Sequence, residues 1–127
     1  MSAHGARKIA RSKVPNRRPP IDVDYLSKQT LGDEGLEQEV LRLFDVMSQT
    51  YMERLETSTG RDALLQHLHT LKGAAAGVGA FSLSEMAREA ETSLRAGEPV
   101  DPERIDDLRM AVEEVSAFIA ARLDRSA

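Results

Sequence analysis

From residue 21 onward, apolar residues return every three or four positions, segment after segment, and no stretch alternates apolar with polar. That period fits an α-helix, whose turn takes about 3.6 residues, and not a half-buried strand. The chain is therefore confined to architectures that bury helical stripes against one another. Asp22 or Asp24 is placed to cap a short helix through Tyr25 and Leu26, which Gly32 ends. A second helix is expected from Asp33 to Leu55, with Leu36, Val40, Phe44, Met47, Tyr51 and Leu55 as its apolar stripe. Thr57-Ser58-Thr59-Gly60 reads as a connector.

The third helix is expected from Arg61 to Gly77, with its stripe at Leu64, Leu68, Leu71, Ala75 and Val78. Ser82 or Ser84 is placed to cap a fourth helix carrying Leu83, Met86, Ala87, Ala90 and Leu94, which stops near Gly97 and Pro99. Asp101-Pro102 starts the fifth, with Asp as cap and Pro at the first helical position. Its stripe runs through Ile105, Leu108, Val112, Val115, Ile119 and Leu123. The expected fold is all-α: an antiparallel up-and-down four-helix bundle with a short additional helix at its start.

Charge divides the chain at its prolines. Residues 1–20 hold Arg7, Lys8, Arg11, Lys13, Arg17 and Arg18 with no acid, while the rest is acidic enough to bring the net charge to −4. Residues 1–20 are expected to be a flexible basic tail and residues 21–127 the folded domain. The tail has no aromatic residue to stack on bases and no apolar face for a bilayer, so nucleic acid and membrane are not expected partners. There is no Cys, which excludes disulfides and thiolate chemistry. No apolar run is long enough to span a bilayer and no secretory leader is evident, so a cytoplasmic home is expected.

The chemistry concentrates in His69-Thr70-Leu71-Lys72-Gly73 and the small residues Ala74-Ala75-Ala76-Gly77-Val78-Gly79. At about 100° per residue, His69 lies roughly 130° from the centre of its helix's core stripe. It is therefore on the water-facing flank, with Lys72, Gly73, Ala76, Leu65 and Gln66 around it. A neutral imidazole is a nitrogen nucleophile. An ammonium beside it can offset the charge of a phosphoryl oxygen. Gly73 and Ala76 leave the ring uncovered, and Leu65 with Gln66 supplies contact area for a partner. His67, two residues away, diverges from His69, so the pair cannot share a metal in the manner of an i, i+4 pair. It reads as a core-edge histidine, and His4 belongs to the tail.

His69, Leu71, Lys72, Gly73, Gly79 and Ala80 together resemble the signature of histidine-containing phosphotransfer (HPt) domains. Asp24 and the Leu26 region, Gly32-Asp33, Phe44 and Glu91 also stand where such domains carry similar residues, so the resemblance extends over about residues 21–124. It implies a four-helix bundle whose exposed histidine takes a phosphoryl group from a receiver-domain aspartate and passes it to another. In this chain the resemblance makes His69 the phosphoacceptor, through Nε2, and Lys72 the phosphate-stabilising lysine. Gly73 becomes the small residue that gives access, and Glu91 the side chain that holds the imidazole by Nδ1–H, its other reading being an ordinary solvated helix acid. It implies receiver domains as partners, with a hybrid histidine kinase upstream. No cofactor is expected in this chain, because Mg²⁺ and the catalytic acids belong to the receiver. No nucleotide-binding glycine loop occurs, so autophosphorylation from ATP is not expected. Two other readings fit the residues less well. One is a docking module that passes no phosphate, which would need neither His69 nor Lys72. The other is the phosphorylated domain of a chemotaxis-type kinase, against which a free-standing monomer is the simpler expectation.

Overall fold

The computed structural model describes residues 18–126, and the side chains of 18–125. The tail residues Arg7 to Arg17 and His4 lie outside the described residues. Five helices follow one another, α1 (Val23–Gln29), α2 (Glu34–Thr57), α3 (Arg61–Val78), α4 (Phe81–Arg95) and α5 (Pro102–Ser126). Helix α2 packs on α3 and α5, and α4 packs on the same two, which closes an up-and-down four-helix bundle. Helix α1 sits against α2 and α3 at one end.

Local chemistry sets the helix ends. Asp22, not Asp24, caps α1 by accepting from Tyr25 N–H at 3.1 Å. Asp33 caps α2 by accepting from Leu36 N–H at 3.0 Å. Asp101 accepts from Glu103 N–H at 3.0 Å at the start of α5. Between α1 and α2 the chain turns through Leu31 (φ 56°) and Gly32 (φ 73°). Leu31 is 90 % exposed, so its side chain gains nothing from the core in exchange for a backbone region that bulky residues rarely occupy.

The start of α4 differs from the sequence expectation. Neither Ser82 nor Ser84 caps it; the cap position is Ala80, which has no side-chain bond to offer. Gly79 in the left-handed region (φ 90°) ends α3, with Ala80 N–H bonded to Ala75 O at 2.8 Å. The reversal is so short that α4 begins at once, leaving both serines inside it. Ser84 Oγ instead donates to the Lys72 carbonyl at 2.9 Å, and Ser82 Oγ accepts from Arg18 at 3.1 Å. Asp22 N–H donates to Gly79 O at 2.9 Å, which ties the start of α1 to this turn.

The stripe of α3 is buried as expected, at Leu64, Leu68, Leu71, Ala75 and Val78. That of α2 is displaced. Its buried residues are Leu41, Phe44, Ser48, Met52 and Leu55, whereas Val40, Met47 and Tyr51 lie on the flank and Leu36 is 46 % exposed. The core faces the column of Leu41, Ser48, Met52 and Leu55, and the neighbouring column of Leu36 and Leu43 is turned outward. In α5, Leu108, Val112, Val115 and Ile119 are buried, and Ile105 and Leu123 pack at the edge. Burying each leucine of this core is worth about 1.5–3 kcal/mol, enough to fix which face of α3 turns to water.

Candidate functional site

Because Leu64, Leu68 and Leu71 must face the core, His69 is carried to the outside of α3. Its side chain is 65 % exposed. Thr70 and Lys72 are partly buried, while Gly73 and Gly77 lie open on the same exposed side. A Cβ added at either glycine would meet no atom within 4 Å. The surface beside the imidazole is therefore low, and a second protein can reach Nε2 without displacing a side chain at these positions.

The other ring nitrogen is engaged. His69 Nδ1 lies 3.2 Å from Glu91 Oε2, across the contact between α3 and α4. Glu91 is 4 % exposed, so it is no solvated helix acid. Lys72 Nζ donates to Oε1 at 2.8 Å. Arg95, one turn further along α4, donates to Oε2 from Nη2 at 2.8 Å and from Nε at 3.3 Å. Burial alone would push this carboxyl up. The hydrogen bonds from Lys72, Arg95 and His69 outweigh that effect and hold it at about 2. Glu91 is thus an anion at neutral pH. Since an anion only accepts hydrogen bonds, the nitrogen it meets is the protonated one, and in the neutral ring the lone pair is then on Nε2, the nitrogen Glu91 does not engage.

The structure thus brings His69, Lys72 and Glu91 into one cluster, with Gly73 open beside it. Gln66 is exposed, and Leu65 and Ala76 are partly buried, Leu65 resting against the core. Lys72 is directed at Glu91 rather than standing free beside the ring. Two features escaped the sequence reading. Arg95 was not singled out, although Glu91 and Arg95 have the i, i+4 spacing of a helical ion pair. The exposed apolar residues of α2, Leu43 at 63 % and Val46 at 69 %, were hidden by the misplaced stripe.

His67 sits half-buried at the α2–α3 contact, its ring edge-on to Tyr51 with centroids 5.6 Å apart. Its Nδ1 is buried and has no hydrogen-bond partner. Among the described residues no group of His, Asp and Glu is arranged to hold a metal ion, and no helix is long and apolar enough to cross a membrane.

An exposed imidazole backed by a buried carboxylate on a four-helix bundle defines a class that sequence comparison names. Residues 39–118 match the Hpt domain family, and the chain belongs to it. Two solved structures share the fold. One is the HPt domain of an Hpt sensor hybrid histidine kinase from Shewanella, with a TM-score of 0.73 at 20 % identity, covering 84 % of this chain and 95 % of that one. The other is the histidine phosphotransferase ShpA from Caulobacter crescentus, with a TM-score of 0.66 at 29 % identity, covering 84 % and 93 %. No curated protein matches the chain. Family and fold together place it in phosphorelay histidine phosphotransfer.

Proposed function

We propose that Nε2 of His69 accepts a phosphoryl group from the aspartyl phosphate of a receiver domain and returns it to the aspartate of another. The observation that carries this reading is the pairing of His69 Nδ1 with the buried Glu91 carboxylate at 3.2 Å, which leaves the opposite nitrogen in water. In the forward step the Nε2 lone pair forms the N–P bond while the acyl P–O bond breaks. The electrons of that bond leave on the receiver's carboxylate, and no proton has to move. The ring becomes positive as the bond forms, and Glu91 lies against the nitrogen that carries its proton. A charged acceptor in a nearly dry position stabilises that developing charge more than water would. Lys72, with N–H groups beyond the one it gives Glu91, supplies a cation for the phosphoryl oxygens. In this reading the receiver's own acidic residues would hold Mg²⁺, and the receiver would supply the rest of the catalysis.

Docking fits the surface around the ring. Gly73 and Ala76 give clearance, and Gln66 and Leu65 border the ring. Beyond them, α2 turns an apolar column to solvent at Leu36 and Leu43, on the flank that meets α3 through Tyr51 and His67. An exposed apolar column of this kind is a mark of a partner surface.

The test is transfer from a receiver domain charged with labelled acetyl phosphate. The wild-type chain gains acid-labile label. His69→Gln stays unlabelled with an unchanged helical spectrum, and Lys72→Ala accepts label more slowly. Label retained in His69→Gln, at His67 for example, would overturn the assignment.

A further inference from the structure

The carboxylate of Glu91 has more cationic partners than its single charge requires. Lys72 holds Oε1 from α3, and Arg95 holds Oε2 from one turn along α4. Oε2 is also the oxygen that meets His69 Nδ1. Surface i, i+4 pairs contribute little when both partners are solvated. Here the acceptor is 5 % exposed, while the Arg95 side chain reaches it from solvent at 59 % exposed.

The arrangement matters once a phosphoryl group arrives. Its oxygens carry about two negative charges and compete with Glu91 for the Lys72 ammonium. A buried carboxylate that gives up its lysine and has no other cation must either recapture the lysine or take a proton. The first outcome withholds Lys72 from the phosphoryl group, and the second weakens the acceptor for Nδ1–H. A guanidinium that stays charged and is fixed on the same carboxylate prevents both.

We infer that Arg95 is a positioning residue of the phosphotransfer site. By remaining on Oε2 it keeps Glu91 charged and aimed at His69 Nδ1 while Lys72 turns from Oε1 to the incoming phosphoryl group. This inference rests on His69 as the phosphoacceptor. Arg95 itself touches neither the imidazole nor the phosphoryl group; it acts through Glu91. Its exposed stem fills no core space, so its replacement leaves the bundle packed.

The experiment compares the full chain with Arg95→Gln, Arg95→Lys, Lys72→Met, the Arg95→Gln/Lys72→Met double variant and His69→Gln. The first readout is the rate of phosphate transfer from a receiver charged with acetyl phosphate. Arg95→Gln is expected to slow it about fivefold to tenfold, and Arg95→Lys to restore most of the rate. Lys72→Met should cost less in the Arg95→Gln background than alone, because there the lysine is already held back. The second readout is the ¹⁵N spectrum of the His69 ring in the unphosphorylated protein. In Arg95→Gln the share of rings protonated at Nδ1 should fall, an effect that a purely structural role would not produce. A wild-type rate and ring spectrum in Arg95→Gln, with His69→Gln inactive, would overturn the role of Arg95 alone. Transfer persisting in His69→Gln would overturn the histidine reading and this inference with it.

Discussion

Oε1 of Glu91 and Nζ of Lys72 are joined at 2.8 Å between two helices, with the carboxylate almost entirely out of water. That pair ties the reactive flank of α3 to α4, so the charge state of Glu91 bears on stability as well as on the imidazole. Its folded pKa, about 2, lies below the ordinary 4.5. The stabilisation is therefore fully present above about pH 5 and is lost as pH falls toward 2. Between pH 6 and pH 3 the wild type should lose on the order of 2 kcal/mol that Glu91→Gln does not lose. Urea midpoints measured across that range check it. Parallel pH profiles for the two proteins would show that the carboxylate is not held as described.

Gly73 separates the needs of the fold from those of the site. Nothing lies within 4 Å of the position a Cβ would take, and the residue is inside a helix. Gly73→Ala should therefore stabilise the bundle by about 0.5–1 kcal/mol. Gly73→Leu should remain folded and yet lose most phosphate transfer, because its bulk stands where a receiver must close over His69. Thermal unfolding and transfer rates on the same samples decide the matter. A Gly73→Leu protein that transfers normally would remove the access argument.

How much of this was legible in the sequence depends on what each feature rests on. The α3 stripe follows from periodicity alone, because Leu64, Leu68, Leu71, Ala75 and Val78 stand, Leu65 apart, against polar or small neighbours. Once that face is fixed, the exposure of His69 follows. Helix α2 was ambiguous because two adjacent columns are both apolar, and a step of three or four fits either. Burial of Ser48, whose Oγ donates to the Asp45 carbonyl at 3.1 Å, decided against the expected column. The depth of Glu91 could not be read from α4 itself. Burying a carboxylate depends on a lysine from α3 and an arginine one turn away, a juxtaposition made only by packing. The serine caps of α4 failed for a related reason, since the tight Gly79 turn puts Ala80, which has no side-chain acceptor, at the cap position.

Leu43 is 63 % exposed and offers the core nothing, so its replacement isolates docking from folding. Leu43→Glu should leave the unfolding midpoint within about 0.5 kcal/mol of wild type, as surface changes usually do. Affinity for a cognate receiver should fall, by about tenfold if the side chain sits centrally in the contact. Transfer at saturating receiver should be unchanged, because Leu43 stands on α2 and takes no part in the His69, Lys72 and Glu91 cluster between α3 and α4. Titration calorimetry and single-turnover transfer separate these quantities. Unaltered affinity would mean that the receiver approaches without using this column.

Gly79 carries the opposite expectation to Gly73. Its φ of 90° lies where side chains are strained, and an added Cβ would come within 2.9 Å of the Asp22 carbonyl and 3.3 Å of the Tyr25 ring. The backbone there cannot yield freely, because Asp22 N–H bonds to the Gly79 carbonyl and Asp22 caps α1. Gly79→Ala should therefore destabilise the bundle by about 2–4 kcal/mol, combining left-handed strain with displacement of α1. The same turn sets the register of α4 against α3, and that register brings Glu91 to His69. The ¹⁵N signals of the His69 ring should accordingly move in whatever fraction remains folded. Denaturation of Gly79→Ala at wild-type urea concentration, with an unmoved ring spectrum, would show that the α3–α4 turn does not position the site.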